Sequence, residues 1–123
     1  MRWIKRTVYR RKMTKQIREF IRRGGRVSWF SVEGMEYYLR NSFRYDNGAI
    51  RSAVDIATVE VEPDYQKQGL FTMLREIVER EAAKYKVECV YVENVLHDGL
   101  LAHMRKLDYT EAGRPPSFLK RLA

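Results

Sequence analysis

Residues Val59–Phe71, V-E-V-E-P-D-Y-Q-K-Q-G-L-F, decide the fold of this chain. An apolar run that favours a strand ends at Pro63, a Gln/Lys/Gly turn follows, and an amphipathic helix is predicted to begin immediately after it. At such a junction the N–H groups of the turn and the first unpaired N–H groups of the helix converge, and the helix dipole adds positive potential. The stretch therefore predicts a diphosphate site, and with it a ligand that carries a nucleotide.

These residues resemble the cofactor-binding motif of the GNAT superfamily, acyltransferases that use acetyl-coenzyme A (acetyl-CoA). The motif reads V-x-P-x-x-(Q/R)-x-x-G-x-(G/A), and the matching positions are Val61, Pro63, Gln66 and Gly69. Phe71 stands where Gly or Ala is commoner, and Lys67 stands where a small residue is usual. The alternative interpretation is an ordinary connection between a strand and a helix.

The residues before the motif predict a strand, a helix and a hairpin. Trp3–Tyr9 alternates in polarity, which favours a first strand. From about Thr14 to Arg23 the apolar residues follow helical spacing, and Gly24-Gly25 predicts the end of that helix. Two segments rich in β-forming residues come next, and Asp46-Asn47-Gly48 predicts a hairpin turn between antiparallel strands.

The residues after the hairpin turn complete the pattern of a single domain. The predicted elements are a strand over Ala53–Val61, a helix with an apolar stripe from Leu70, a buried strand over Val87–Val95, a helix from Asp98, and short strands at Tyr109–Ala112 and Ser117–Leu122. This order is similar to the GNAT fold over nearly the whole chain. The expected fold class is therefore α/β (α+β), with a mixed, mostly antiparallel sheet of about six to seven strands, a central splay and three to four helices.

The resemblance also implies where the cofactor lies. In the GNAT fold two neighbouring strands splay apart, so the strand of Val61 would pair with Val87–Val95 at one end only. Pantetheine would fill the wedge and bond to main-chain groups of Val59 and Val61, as an added strand would. The diphosphate turn would be lined by Gln66, Lys67, Gln68, Gly69, Leu70 and Phe71. Asn94, at the exit of the second strand, would either bond to the cofactor or simply end that strand.

Acetyl transfer to an amine requires a neutral, aligned amine, which calls for a base. Glu60 and Glu62 alternate onto one face of the predicted strand, and Asp55 and Glu93 are further carboxylates near the splay. Glu60 is the predicted base. Two alternatives remain: Glu60 is an ordinary acid facing solvent, or a water relay from main-chain carbonyls removes the proton.

The departing thiolate requires an acid. In the family this acid is usually a tyrosine on the last helix, and the corresponding position here is Met104, which cannot donate a proton. His103 lies one residue away, and His97 lies where a polar residue commonly begins the helix. His103 is the predicted acid, and a surface histidine is the alternative interpretation. If neither histidine reaches the sulfur, the protein is expected to be slow or inactive.

Positive charge is concentrated at the beginning of the chain. The net charge is +8, and residues 1–26 contain eleven Lys and Arg residues against one acid, Glu19. The remaining chain has 13 basic and 15 acidic residues. Such a basic segment neutralises nucleic-acid phosphates, attracts an acidic protein or an anionic cofactor, or is simply a solvated helix face.

The composition excludes several classes of protein. A chain of 123 residues is expected to form one domain, over 1–123. Charges interrupt every hydrophobic run, so no membrane span or secretory segment is expected. The one cysteine, Cys89, lies in an apolar run and suits a reducing cytoplasm. The cysteine and the two histidines have no ligand spacing, so no metal is expected.

These observations lead to two hypotheses about function. In the first, the chain is an acetyl-CoA-dependent N-acetyltransferase whose acceptor is a primary amine on a small molecule or a protein, and which is a monomer or a homodimer. In the second, a weak or inactive GNAT scaffold binds nucleic acid or an acidic protein through residues 2–26. A plain nucleic-acid-binding domain without this fold is a third choice, because no base-stacking motif accompanies the charge.

Overall fold

A computed structural model of the chain describes residues 1–93, 98–112 and 116–122. In chain order the elements are α1 (Arg6–Arg23), β1 (Val27–Val32), β2 (Met35–Asp46), β3 (Ala49–Val61), α2 (Leu70–Lys84), β4 (Cys89–Val92), α3 (Asp98–Lys106), β5 (Thr110–Ala112) and β6 (Ser117–Arg121). A short 3-10 helix at Pro63–Tyr65 joins β3 to the turn before α2.

The described strands form one six-stranded sheet in the order β1-β2-β3-β4-β6-β5. Only β3 and β4 run parallel, and the other neighbouring pairs are antiparallel. Helix α2 connects the two parallel strands, as a crossover between parallel neighbours requires. The predicted fold class, a mixed and mostly antiparallel sheet flanked by helices, is confirmed.

The β2–β3 hairpin is confirmed at the predicted turn. Asn47 and Gly48 both have positive φ, at 47° and 86°, which is the backbone that a tight hairpin turn needs. The register shifts further along the hairpin, because Tyr38 pairs with Thr58 while the next residue, Leu39, pairs with Ile56. The extra residue, Ala57, forms a β-bulge in β3.

The predicted first strand at Trp3–Tyr9 is wrong, because α1 already begins at Arg6. Tyr9 and Met13 are buried and continue the helical spacing of Ile17 back toward the start of the chain. Val8, which alternation would place inside, is 59 % exposed. The helical pattern covers more residues than the alternating run, and it therefore decides the structure of this segment.

The main core lies between the helices and one face of the sheet. Residues from α1, α2 and α3 contribute to it together with strand residues such as Tyr37, Val54 and Val90. A second, small cluster contains Ala53, Cys89, Tyr91 and Leu119, all from strands. The described helices thus cover one face of the sheet, and the face that carries this second cluster has no helix in its apolar packing.

Ionic contacts hold α2 from both sides. The buried carboxylate of Glu81 accepts a hydrogen bond from Arg18 of α1 at 2.8 Å, and this contact lowers the pKa of Glu81. On the other flank, Glu79 accepts hydrogen bonds from Tyr109 and Lys120, each at 2.8 Å. Burial acts to raise the pKa of Glu79, but these hydrogen bonds outweigh it and lower the pKa. Helix α2 therefore has a fixed position over the sheet.

The remaining predictions about elements differ mainly at their ends. β3 begins four residues earlier than predicted, at Ala49, because the hairpin extends beyond the core. β4 begins at Cys89 instead of Val87, whose N–H bonds to Ala82 in the turn after α2. Asn94 and His97 lie outside the described residues. Within the described part of the chain, no helix combines the length and the apolar character needed to cross a membrane.

Candidate cofactor and acetyl-transfer site

The two parallel strands separate halfway along β3. Pairing runs from Ala53 opposite Cys89 to Ile56 opposite Val92, and the N–H of Glu93 donates to the carbonyl of Ile56 at 3.1 Å. Beyond that point β3 continues to Val61, and among the described residues it pairs only with β2. The described pairing between β3 and β4 thus covers only part of β3, as the predicted splay requires, and the bulge at Ala57 follows the last pair directly.

A cavity of about 230 Å³ occupies the apex of the splay. Its walls come from the diverging strands and from the two helices above them, and its lining residues are Ile56, Ala57, Thr58, Val59, Phe71, Val92, Glu93 and Leu100. The edge of β3 that has no strand partner among the described residues therefore faces a partly apolar wedge.

The turn before α2 has the backbone of an anion-binding loop. Lys67 and Gly69 have φ of 64° and 72°, so the chain twice enters the left-handed region before the helix begins. The first helical hydrogen bond runs from Met73 to Gly69 at 3.0 Å. No side chain caps this end, and the first turn contains no acid. The N–H groups at the start of α2 are thus available to an anion.

The side chain of Gln68, a residue of the predicted diphosphate turn, has a structural role. Its side chain is buried and does not line the cleft. The Gln68 Oε1 accepts from the N–H of Ile4 at 3.1 Å, and its Nε2 donates to the carbonyl of Arg2. Arg6 donates to the Gln68 carbonyl at 2.7 Å. Gln68 therefore attaches the beginning of the chain to the turn, a contact between residues more than 60 positions apart that sequence spacing cannot predict.

A second set of contacts supports the turn from below. The hydroxyl of Tyr65 donates to Glu33 at 2.7 Å, and its ring lies against Gly34. A Cβ atom at Gly34 would overlap that ring, and Gly34 also has a φ of 76°. The close approach therefore requires glycine at position 34. No motif in the sequence signals this packing.

A larger cleft of about 550 Å³ runs from the turn to α3. Seven of the nine predicted cofactor residues line it, namely Val59, Val61, Gln66, Lys67, Gly69, Leu70 and Phe71. Tyr65, Thr72 and Leu100 complete the lining and were missed by the sequence analysis. Val59, Phe71 and Leu100 also line the wedge, so the two cavities meet there. Together they form a path from the turn to the apex of the splay.

His103 lies on the same cleft as the turn. Its Nε2 atom is buried and has no hydrogen-bond partner among the described residues. Met104, the residue at the family's usual tyrosine position, is fully buried in the main core. The helical turn of α3 thus directs Met104 inward and leaves the side chain of His103 at the cleft wall.

Glu60 is not brought together with these residues. It lies opposite Glu36 in the β2–β3 pairing and lines a separate cleft of about 450 Å³. Glu62, the other acid at that end of β3, lines the same cleft. The predicted base therefore lies among carboxylates at the far end of β3, and neither cavity at the splay includes it.

A different carboxylate, Glu93, lines the wedge. Arg40 donates a hydrogen bond to Glu93 and another to Asp55, the latter at 3.2 Å. The hydrogen bond to Glu93 raises the pKa of Arg40. Asp55 is fully buried and also accepts from Ser42 at 2.7 Å and from Arg44. Asp55 thus holds Arg40, and Arg40 holds Glu93 at the apex of the splay.

The described residues contain no group of metal-binding side chains. Cys89 is buried in the small cluster on the open face of the sheet, and burial raises the pKa of its thiol. A buried thiol with a raised pKa is a poor nucleophile and a poor metal ligand. Cys89 therefore packs as a small apolar residue.

Neither a protein-family model nor a curated protein sequence matches this chain. Solved structures do. A mutant AtaT toxin bound to the C-terminus of its antitoxin and acetyl-CoA superimposes with a TM-score of 0.56 at 14% identity, over 72% of this chain and 58% of the toxin chain. The KacTA–DNA complex gives a TM-score of 0.55 at 17% identity, over 72% and 58% of the two chains.

A third similar structure is the NatC complex bound to a Gag peptide and coenzyme A. Its TM-score is 0.55 at 14% identity, over 71% of this chain and 61% of the matched chain. This chain thus spans less than two thirds of the proteins that it resembles. At such low identity the superpositions establish the fold alone. Six strands in this order, the splay between β3 and β4, and these superpositions show that the chain has the GNAT fold.

Proposed function

We propose that this protein is an acetyl-CoA-dependent N-acetyltransferase whose acceptor is a primary amine on a small molecule or a protein. The observation that carries the proposal is that the two cavities adjoin and share three lining residues. A turn suited to a diphosphate, the edge of β3 that faces the wedge and a histidine at the wall lie along them. An extended pantetheine chain attached to a diphosphate has this shape.

Each part of the cofactor has a counterpart along the path. The diphosphate would accept hydrogen bonds from the N–H groups at the start of α2, with the exposed Lys67 as a mobile cation beside it. The pantetheine amides would bond to the main chain of Val59 and Val61 in the manner of an added strand. Phe71 and Leu100, which line both cavities, would contact the apolar part of the arm.

The reaction is attack of a neutral amine on the thioester carbonyl. A C–N bond forms, the C–S bond breaks, and the sulfur leaves as a thiolate that takes up a proton. His103 is the proposed donor of that proton, because its buried Nε2 has no partner among the described residues and its side chain lines the cleft. Bound acetyl-CoA supplies the activated acetyl group.

Two carboxylates are candidates for the base that takes the proton from the amine. Glu93 lines the wedge and is oriented by Arg40, which favours it. Glu60, the candidate from the sequence, lies on a separate cleft with Glu36 and Glu62. We therefore propose Glu93 as the base, and Glu60 remains the competing candidate in the experiment described in the Discussion.

The neighbours in fold support the choice of cofactor. The AtaT toxin structure contains acetyl-CoA and the NatC structure contains coenzyme A, and both superimpose on this chain. A further AtaT structure is a complex with acetyl-methionyl-tRNAfMet, and the NatC structure also contains a Gag peptide. These bound molecules differ widely, so fold similarity does not identify the acceptor of this chain.

The test is isothermal titration calorimetry of the purified protein with acetyl-CoA, dephospho-coenzyme A and desulfo-coenzyme A. We expect micromolar binding of acetyl-CoA with a negative heat-capacity change, because apolar surface is buried in the wedge. Thiol release from acetyl-CoA in the presence of a panel of amines then identifies the acceptor class. Absence of acetyl-CoA binding at millimolar concentration would contradict the proposal.

The second candidate is a catalytically weak or inactive GNAT scaffold that acts as a binding module. The observation in its favour is the cationic surface of α1, which takes no part in the cofactor path. Cofactor affinity separates the two functions, since a pure binding module needs no acetyl-CoA. A folded protein that does not bind acetyl-CoA would favour the scaffold.

A further inference from the structure

One flank of α1 carries a continuous row of cations. Arg11, Lys15, Arg18 and Arg22 recur at helical spacing and are all exposed, while the buried residues of α1 follow a different stripe. From Arg11 to Arg22 this row extends about 16 Å along the helix axis. It is therefore a linear array of positive charge.

This row lines a groove of about 590 Å³. Arg10 lies beside the row and Arg80 of α2 faces it, so two helices contribute cations to one depression. Thr7 and Thr14 add hydroxyl groups to the lining. The single acid in that lining is Glu19. We refer to this depression as the α1 groove.

Ion pairing within the protein involves three of the six cations that line the groove. Glu19 contacts Arg22 and Arg23, and the buried Glu81 contacts Arg18 and Arg80. Arg10, Arg11 and Lys15 have no ion pair among the described residues. The α1 groove therefore has a net positive charge that internal contacts leave for an external anion.

We propose that the α1 groove binds the phosphate backbone of a nucleic-acid duplex. A linear array of cations about 16 Å long matches a partner whose charges repeat at short, regular intervals, because one strand of a duplex presents a phosphate about every 3.4 Å along its axis. Arginine guanidinium groups and threonine hydroxyl groups are typical donors to phosphate oxygens. This inference is independent of acetyl transfer.

The lining of the α1 groove favours a duplex over the other polyanions. It contains no aromatic residue, so it offers no platform for the stacked bases of a single strand. An acidic protein surface typically also presents apolar and aromatic groups at the centre of its interface, and the groove has no aromatic counterpart for them. Backbone contacts to phosphate need neither feature.

The experiment measures binding of the full chain to fluorescent duplex RNA and duplex DNA of about 20 base pairs, by anisotropy, between about 50 and 200 mM salt. A single strand of the same length and poly-glutamate serve as competing probes. We expect a duplex to bind with a slope of log K against log salt of about −4, since each neutralised phosphate contributes about −0.9.

The variant R10Q/R11Q/K15Q/R22Q tests the groove itself. It omits Arg18, because that side chain holds the buried Glu81. We expect duplex affinity to fall about 100-fold and the slope to decrease by roughly one for each phosphate contact removed. The matched control K86Q/R105Q/K106Q/R121Q removes the same number of exposed charges elsewhere and should retain most of the affinity and slope.

Four outcomes would overturn the proposal: no duplex binding at the lowest salt, equal losses in the variant and the control, stronger binding of the single strand, or poly-glutamate binding as tight as the duplex. Circular dichroism of both variants establishes that they remain folded. A selective loss in the groove variant, with either duplex, supports the proposal.

Discussion

The two halves of β3 have different environments although they belong to one strand. Within its first half, residues 53–56 pair with β2 on one edge and with β4 on the other, and all four are buried. Its second half, after the bulge at Ala57, pairs among the described residues with β2 alone, and its side chains are exposed or half-buried. The change in pairing and burial occurs at one residue, Ala57.

This difference shows how one strand serves both stability and binding. Backbone groups in the first half are satisfied by the sheet, so substitutions there act on the free energy of unfolding. In the second half one edge has no partner among the described residues and lies beside a cavity, so we expect substitutions there to act on the affinity for an extended ligand. Four predictions follow this distinction, from the largest expected effect to the smallest.

The largest effect is expected in the buried half. Ile56 is 1 % exposed, so Ile56→Ala should lower the free energy of unfolding by about 2–5 kcal/mol. Val59→Ala, in the second half, should cost about 1 kcal/mol or less, because Val59 is only partly buried. Urea denaturation of both variants measures the difference. Equal losses would show that the second half is as tightly packed as the first.

The two candidate bases provide the next test, because Glu93 lines the wedge and Glu60 lies on a separate cleft near the end of β3. Glu93→Gln should reduce kcat/KM about 100-fold, with unchanged acetyl-CoA affinity, if it removes the amine proton. Glu60→Gln should stay within about twofold, because Glu60 lies on a separate cleft. The measurement is thiol release across a pH series with the best amine of the panel. The reverse order of effects would restore Glu60 as the base.

Substitutions at Gly69, in the turn that follows β3, test whether a diphosphate binds there. Gly69→Asp should weaken acetyl-CoA binding by about tenfold or more, because the new anion opposes the diphosphate and loss of a charged hydrogen bond costs about 1.5–3 kcal/mol. Gly69→Asn is the matched control, since asparagine tolerates the φ of 72° and adds no charge. Calorimetry gives both dissociation constants. Equal affinities of the two variants would argue against a diphosphate at this turn.

The smallest effect concerns the helices that cover both halves. Hydrogen bonding to Arg18 lowers the pKa of Glu81 below its ordinary value of 4.5. Glu81 therefore contributes stability that is fully present above about pH 4.5 and is lost as the pH falls through the folded-state pKa. Glu81→Gln should flatten the stability curve in this acidic range. Glu76→Gln, at an exposed position of the same helix, should leave the curve unchanged.

Local patterns predicted most of the elements because each pattern reports on neighbouring residues. The turn at Asp46–Gly48, the stripe that begins at Leu70 and the glycine turn at Gly69 all depend on contacts within a few positions, and all are present. Trp3–Tyr9 shows the limit of this method. Six or seven alternating residues carry less information than a helical stripe that extends from Tyr9 to Ile21.

The candidate site was predictable to a smaller extent. Seven cofactor candidates and His103 lie on one cleft because they belong to one motif and one helix face. Gln68 turns away because a contact with the beginning of the chain captures its side chain. The selection of Glu93 over Glu60 depends on where β4 separates from β3, and no local pattern contains that position. Asn94 and His97 remain predictions.

Periodicity, turn residues and charge are local properties of a chain, and they were enough to predict the fold class, the glycine turn before α2 and the basic character of the first helix. Only the tertiary structure shows where the described pairing of β3 with β4 stops, which carboxylate lines the wedge and how Arg80 of α2 faces the cations of α1. These features arise from contacts between residues far apart in the chain, which exist only after the sheet has formed and the helices have packed on it.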